Sequence, residues 1–422
     1  MYPSVRNTPD IGVASPGKRE SLSIQIRRIP ATVLILGFTS LFTDISAEMI
    51  TAILPLYLTM QLGFTPFQFG LFDGIYQVMA GILRPVGGLL ADRWRRYKEV
   101  AAAGYGLSAL SKLGLLVSGV VWAPVVAALF ADRLGKGIRT APRDALISLS
   151  VPKSELATAF GIHRAMDTFG ALLGPLVAFA ILGLAPGAFD AVFMVSLLFA
   201  IIGLVIITLL AHNPDLLGQT AATVRSVRMT LRAALTLLRE GRFRAIVAVG
   251  GILALLTVSD PFLYLVMQRN TDLPIRYFPL LFSGTAVIYL VLAIPVGRLA
   301  DRIGRERIFL GGFVCLALVY LGLWSAPTQL AVVFVCVGLL GVYYAATDGV
   351  LIAMASAATD PAVRSSGIAI LTTVLTLGHF LSSLAFGSLW SALGQRETLF
   401  GFMAGLLVAI GVAWFWLLRR DE

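Results

Sequence analysis

The stretch Gly88-Leu89-Leu90-Ala91-Asp92-Arg93-Trp94-Arg95-Arg96 returns, loosely, as Gly297-Arg298-Leu299-Ala300-Asp301-Arg302-Ile303-Gly304-Arg305, about half the 422-residue chain later. Both copies sit between long apolar runs. The chain is 58% apolar and only 13% charged, with mean hydropathy +0.86, whereas soluble domains carry about 25% charged residues. A soluble globule is excluded. Apolar runs long enough to cross a bilayer, about 20 residues each, fall at 31–61, 66–91, 100–119, 122–148, 157–183, 189–211, 244–268, 277–299, 308–325, 329–358, 365–390 and 397–418. In each half the repeated stretch joins the second run to the third, as duplication of a six-span unit would place it.

The domain reading follows. Residues 1–30 form a polar tail, 31–211 a first six-helix bundle, 212–243 a linker, 244–418 a second bundle and 419–422 a short tail. The linker segment 224–242 spaces Arg225, Arg228, Arg232 and Arg239 among Val, Leu and Ala, which suits either an amphipathic helix on a membrane surface or a plain connection. Nothing in 1–28 reads as a cleaved signal peptide. Cys315 and Cys336 lie in apolar runs and suggest buried thiols rather than a disulfide or soft-metal framework.

Net charge is +10, which in a soluble protein could point to nucleic acid. Here its distribution gives another meaning. Of 33 Lys and Arg, 23 fall in the tails and alternate connections, three (Arg269, Arg276, Arg396) in the opposite connections, and seven within spans. The positive-inside bias predicts a multi-pass cell-membrane protein, bacterial inner membrane in type, with both termini in the cytoplasm.

The repeated stretch resembles the G-x-L-A-D-R-x-G-R-[KR] loop signature of the major facilitator superfamily. The first copy has Arg95 where the family usually has Gly, whereas the second keeps Gly304. The resemblance covers residues 30–418. It implies an all-α membrane fold of twelve transmembrane helices in two pseudo-symmetric bundles, and a gating role for Gly88, Asp92, Arg93, Arg96, Gly297, Asp301, Arg302, Gly304 and Arg305. Two further patterns match. Arg133 followed by Gly137 resembles the fourth-helix motif implicated in proton coupling. Gly161, Gly170, Gly174 and Pro175 resemble the fifth-helix pattern of drug/proton antiporters, with Ala178 replacing its last Gly.

Charges inside a membrane cost about 2.5–3.5 kcal/mol each on insertion scales and therefore face partners or wet cavities. Asp44, Glu48 and Thr51 form one stripe at helical spacing, and Asp73, Gln77 and Arg84 another. Asp132, Lys136, Arg139 and Arg143 lie within roughly 60° of arc, with Arg133 and Asp144 to one side. His163, Asp167, Gly170 and Gly174 share a stripe, beside Arg164. The second half carries only Asp260, Asp348 and His379 within spans. In the family architecture, spans one, four, seven and ten line a central cavity. Spans three, six, nine and twelve lie at the periphery and, away from their ends, hold only Lys112. Lys112 is expected to pair with Asp73 or to snorkel. Asp92 with Arg139 or Arg143, and Asp301 with Arg302 or Arg305, are expected to latch the cytoplasmic face.

These features predict a secondary transporter working by alternating access, with proton-coupled efflux of a small organic compound as the leading expectation. The proton candidates are Asp44, Glu48 and Asp167, set against Arg133, Lys136, Arg139 and Arg164, with His163 and His379 as relay candidates. The alternatives are transport of a metal cation or complex through Asp44, Glu48, Asp73, Asp260 and Asp348, or proton-coupled uptake of a metabolite. No protease, hydrolase or nucleotide-binding motif argues for an enzyme. No cofactor is expected. The expected partners are the lipid bilayer, a small-molecule substrate and protons, acting on a monomer without nucleic acid.

Overall fold

A computed structural model of the chain describes residues 30–152, 155–213, 237–325, 329–359 and 364–418. The tails and most of the linker, including the amphipathic stretch before Leu237, lie outside the described residues. The first half holds α1 (Ala31–Leu56, prolonged by a π-turn Tyr57–Gln61), α2 (Pro66–Trp94), α3 (Tyr97–Ser118), α4 (Trp122–Leu149), α5 (Leu156–Leu184) and α6 (Phe189–Leu210). The second holds α7 (Gly241–Leu255), α8 (Asp260–Thr271), α9 (Phe278–Ile303), α10 (Arg305–Ser325), α11 (Leu330–Ala357), α12 (Arg364–Leu393) and α13 (Gln395–Leu418). In hydrocarbon a helix satisfies all of its own peptide groups, which is why apolar runs of this length take no other form.

Among the described residues, ten helical segments are long and apolar enough to cross a membrane, with α7 and α8 together forming one of them. The other two crossings, α2 and α4, have 29 and 28 residues but carry the intramembrane charges that lower their hydropathy. Twelve crossings result. In the first half α1 packs on α5 and α6, α6 on α3, α3 on α4, and α4 on α2. In the second half α7 packs on α12 and α13, α13 on α10, α10 on α11, and α11 on α9. The two packing orders are the same, so the bundles are related by a pseudo-twofold.

The halves meet along α2–α12 and α5–α9. Gly70 and Gly387 allow the first seam: a Cβ on either would run into backbone of the opposite helix. Ser383 Oγ donates to Asp73 Oδ2 (2.8 Å), and the Phe67 N–H donates to Ser391 Oγ (2.9 Å). Phe262 sits between Phe69 and Phe386, with ring centroids 4.8 and 4.9 Å away. At the second seam Phe179 stacks on Tyr277 at 5.9 Å. These contacts gather at the ends of the helices remote from the termini, so the halves are sealed on that face, with the cavity behind the seal.

The two copies of the repeated stretch end α2 and α9 with different chemistry. Arg95 takes the left-handed conformation (φ 53°, ψ 31°), whereas Gly304 takes φ 109°, ψ 129°, a region essentially reserved for glycine. The first turn therefore keeps a tight geometry without glycine.

The seventh span is not one helix, in contrast to the continuous run 244–268 expected from hydropathy. Ser259-Asp260-Pro261 restarts the helix: Pro261 lacks the N–H that an unbroken helix would need, and Asp260 suits a first turn. The freed peptide groups find partners. The Tyr320 hydroxyl accepts from the Val258 N–H (2.8 Å) and donates to the Leu256 carbonyl (3.0 Å), and Ser382 Oγ donates to the Thr257 carbonyl (2.7 Å).

Candidate functional site

A cavity of about 460 Å³ lies between the halves, at the break in the seventh span. From the first half it receives Glu48 and Thr51 of α1, Asp73, Tyr76 and Gln77 of α2, and Arg133 of α4. From the second it receives Thr257–Pro261, Phe282 of α9, Tyr343, Tyr344, Thr347 and Asp348 of α11, and His379 of α12. Phe309 and Phe313 of α10, the ninth span, also reach it. The ninth span itself packs chiefly on α9, α11 and α13 of its own bundle, as a peripheral helix does, and these two rings reach inward between its neighbours.

Behind the first-half wall α4 carries four bases, each matched by a neighbour. Arg133 donates to the Tyr76 hydroxyl (2.5 Å) and to Thr51 Oγ1 (3.3 Å), with its guanidinium 3.9 Å from the Tyr76 ring centre. Lys136 lies 3.7 Å from Glu48. Arg139 lies 3.6 Å from Asp44, donates to Ser108 Oγ (3.4 Å) and covers the Tyr105 ring. Arg143 binds Asp144 (2.9 Å), donates to Ser40 Oγ (3.1 Å) and lies 3.6 Å from Asp167. His163 is buried, with its Nε2 3.0 Å from Ser40 Oγ. The stripe of α1 residues at i, i+4 and i+7 thus faces a rising series of cations. Charged pairs of this kind hold one another in the membrane interior, where either partner alone would be costly.

Some expected partners are exchanged. Lys112 pairs with Asp132, not Asp73; both are buried, Lys112 with 1% of its surface exposed. The α3–α4 contact brings these two together, whereas the face of α2 carrying Asp73 turns toward α12, whose Ser383 holds its carboxylate together with Gln77 one turn along α2. Asp92 accepts from the Tyr97 hydroxyl (3.0 Å) instead of latching Arg139 or Arg143, whose side chains are drawn to Asp44, Asp144 and Asp167. Asp301 pairs with Arg305 one turn on (2.7 Å). Asp44 is buried behind the cavity wall and does not line it. Arg164 is exposed.

In α5, Gly170 and Gly174 meet the backbone of α1 at Leu41 and Ile45, so only glycine permits that approach. Gly161 faces open space and takes no part in the contact, while Ala178 is fully buried. Cys315 and Cys336 are free thiols.

The second-half wall is aromatic. Tyr343 contacts Tyr344 (centroids 5.0 Å) and Phe313 (5.3 Å), and Tyr344 lies 6.4 Å from Tyr289. The Tyr344 hydroxyl donates to Asp260 Oδ1 (2.8 Å) and the Tyr289 hydroxyl to Asp348 Oδ2 (3.4 Å). Sequence reading passed over these tyrosines and Tyr76. The one available signal was the helical spacing Tyr344–Asp348 in an otherwise apolar run.

Two six-helix bundles around a cavity that mixes charged, hydroxyl and aromatic side chains, closed at one face, have the architecture of a membrane carrier. The profile of the Major Facilitator Superfamily matches residues 36–268 and 253–422. The chain belongs to that superfamily, whose members are transporters rather than enzymes. It is 28% identical over 386 residues to an uncharacterized MFS-type transporter of Methanocaldococcus jannaschii, covering 90% of this chain and 94% of that one. To the multidrug resistance protein MdtG of Klebsiella pneumoniae it is 26% identical over 389 residues, 88% of each chain. Among solved structures, the nucleoside transporter NupG matches with TM-score 0.74 at 16% identity, over 92% of this chain and 99% of that one. A bacterial homolog of the human lysosomal transporter Spinster, crystallised inward-facing and unoccupied, matches with TM-score 0.70 at 14% identity, over 92% and 97%. At those identities the structures attest the fold alone.

Proposed function

We propose that the protein is a proton-coupled exporter of small organic compounds. The observation that carries this reading is the α4 series, in which Lys136, Arg139 and Arg143 meet the carboxylates Glu48, Asp44 and Asp167 on α1 and α5. A proton arriving on one of these carboxylates frees its cation to seek another partner. That biases one packing of the bundles over the other by differential interaction. Glu48 belongs to both the series and the cavity, so it is the point at which solute and proton affect each other. The multidrug resistance relatives support the export direction.

The basic face is taken as cytoplasmic by the positive-inside rule. The seal then lies on the outer side and the conformation is inward-facing, ready to receive a solute from within. Rocking of residues 30–211 against 244–418 would open the α2–α12 and α5–α9 seams. The metal-transport alternative finds no group of three or more His, Cys, Asp or Glu side chains suited to an ion among the described residues.

The test is a proteoliposome assay with a pH-sensitive dye inside and a panel of organic solutes. Solute-dependent proton movement is expected for the unaltered chain and is abolished by Asp44→Asn, with solute binding retained. Solute flux that persists with no accompanying proton movement would overturn the coupling.

A further inference from the structure

We propose that the groove between the ninth and twelfth spans, at the face remote from the termini, binds the headgroup of an anionic phospholipid. Three basic residues stand in the connections on that face, Arg269, Arg276 and Arg396. Each lies over an aromatic ring: Arg269 is 5.2 Å from the Trp390 centroid, Arg276 4.6 Å from that of Tyr277 and Arg396 5.2 Å from that of Trp324. A stacked guanidinium is held by its flat face, while its N–H donors point outward in the plane. The donors of Arg269 and Arg396 meet no protein acceptor among the described residues, and no carboxylate there lies within ion-pair distance of either.

Arg396 lines a pocket of about 150 Å³ with Asn270, Leu323, Trp324, Gln395 and Leu399, where the ends of α8, α10 and α13 converge. Its polar side is ordered: Gln395 Nε2 donates to Asn270 Oδ1 (2.8 Å), and Asn270 Nδ2 donates to the Leu323 carbonyl (3.1 Å). Arg269 directly precedes Asn270 and brings a second cation to the same corner. Glu397 follows Arg396, but its carboxylate folds back beside Gly394 and does not line the pocket. A guanidinium edge binds phosphate oxygens in pairs. The Gln395 amide oxygen, without a protein partner among the described residues, can accept from a hydroxyl of the headgroup.

The surroundings favour a lipid over a soluble anion. Trp324 packs on Phe400 (centroids 5.7 Å), and exposed apolar side chains continue from there along the membrane-facing surface. Phe400 and Leu407 share the face of α13 that carries Arg396, and Leu321 and Val314 the side of α10 that carries Trp324. Arginine and tryptophan at headgroup level above two apolar rows suit a phosphate with acyl chains beneath it. A zwitterionic head brings an ammonium that meets Arg396 as a like charge, which disfavours it.

The experiment titrates the purified full-length chain in detergent with phosphatidylglycerol or phosphatidylcholine of the same acyl chains, read by native mass spectrometry. Phosphatidylglycerol is expected to bind about tenfold tighter than phosphatidylcholine, and Arg396→Gln to remove that preference. Arg396→Lys, which keeps the charge without the stacked fork, is expected to retain part of it. Arg396 is exposed, so both variants are expected to melt as the unaltered chain does. Arg276→Gln removes the base beside Tyr277 at the other seam and is expected to leave the preference intact. Equal binding of the two lipids, a preference that survives Arg396→Gln, or an equal loss in Arg276→Gln would overturn the proposal. Displacement of the lipid by inorganic phosphate at equal concentration would also overturn it, marking a site for a soluble anion.

Discussion

The two bundles share one packing order and divide the chemistry between them. In the first, polar groups are charged and paired: α4 alone presents Arg133, Lys136, Arg139 and Arg143 to partners on neighbouring helices. In the second, the cavity receives two carboxylates on tyrosine hydroxyls, a histidine and several Ser and Thr hydroxyls, within an aromatic wall. The first span is a continuous helix through Leu56, whereas its counterpart breaks at Leu256–Ser259. Duplication preserved the scaffold, which depends on where helices touch. It left the cavity faces free to diverge into a half that stores charge and a half that presents rings.

The sharpest way to break this contrast is to unpair the first half. Lys112→Met or Asp132→Asn leaves a buried charge without its partner and is expected to cost about 3–5 kcal/mol, read as loss of melting temperature in detergent. The double variant Lys112→Met/Asp132→Leu is expected to recover most of it; if the singles are silent, the pair is not structural.

The next effect concerns how the charge-bearing helices approach. A Cβ on Gly174 falls 2.8 Å from the Ile45 carbonyl oxygen. Gly174→Val is thus expected to destabilise by about 1–3 kcal/mol, while Gly161→Val, facing open space, changes melting little. Equal responses would show that the α1–α5 contact does not depend on glycine.

In the second half, Tyr320→Phe strips the hydroxyl serving two peptide groups at the break and is expected to cost about 1–3 kcal/mol. Hydrogen exchange at Val258 should rise in parallel, and no rise would mean that the break is held by other groups. The smallest effect separates the two copies of the loop stretch. Gly304→Ala forces a side chain into a glycine-only conformation at about 1 kcal/mol, whereas Arg95→Gly is expected to be neutral or slightly stabilising in the same melting assay.

Much of the fold was legible in the sequence because a bilayer leaves few options. A run such as 189–211 has to be a helix, and a repeated loop at half-length has to reflect a repeated bundle. The break in the seventh span was less visible. Apolar residues continue through it, and only Ser259-Asp260-Pro261 marks it. The stripe Asp44, Glu48, Thr51 was readable from helical spacing, but the partner of each residue was not. For Lys112 the sequence leaves Asp73 and the membrane surface as alternatives, because spacing locates a side chain on its own helix and says nothing of which neighbour that face meets.

By itself, then, the sequence determined class, span count, the internal repeat and the residues that carry charge in the membrane, since these follow from hydropathy and periodicity along one chain. Tertiary structure alone decided the pairings: Lys112 with Asp132, Asp73 with Ser383, Tyr344 with Asp260. Each pairing joins different helices. Its energy depends on distance and burial across a packed interface, and that geometry exists only once the helices have met.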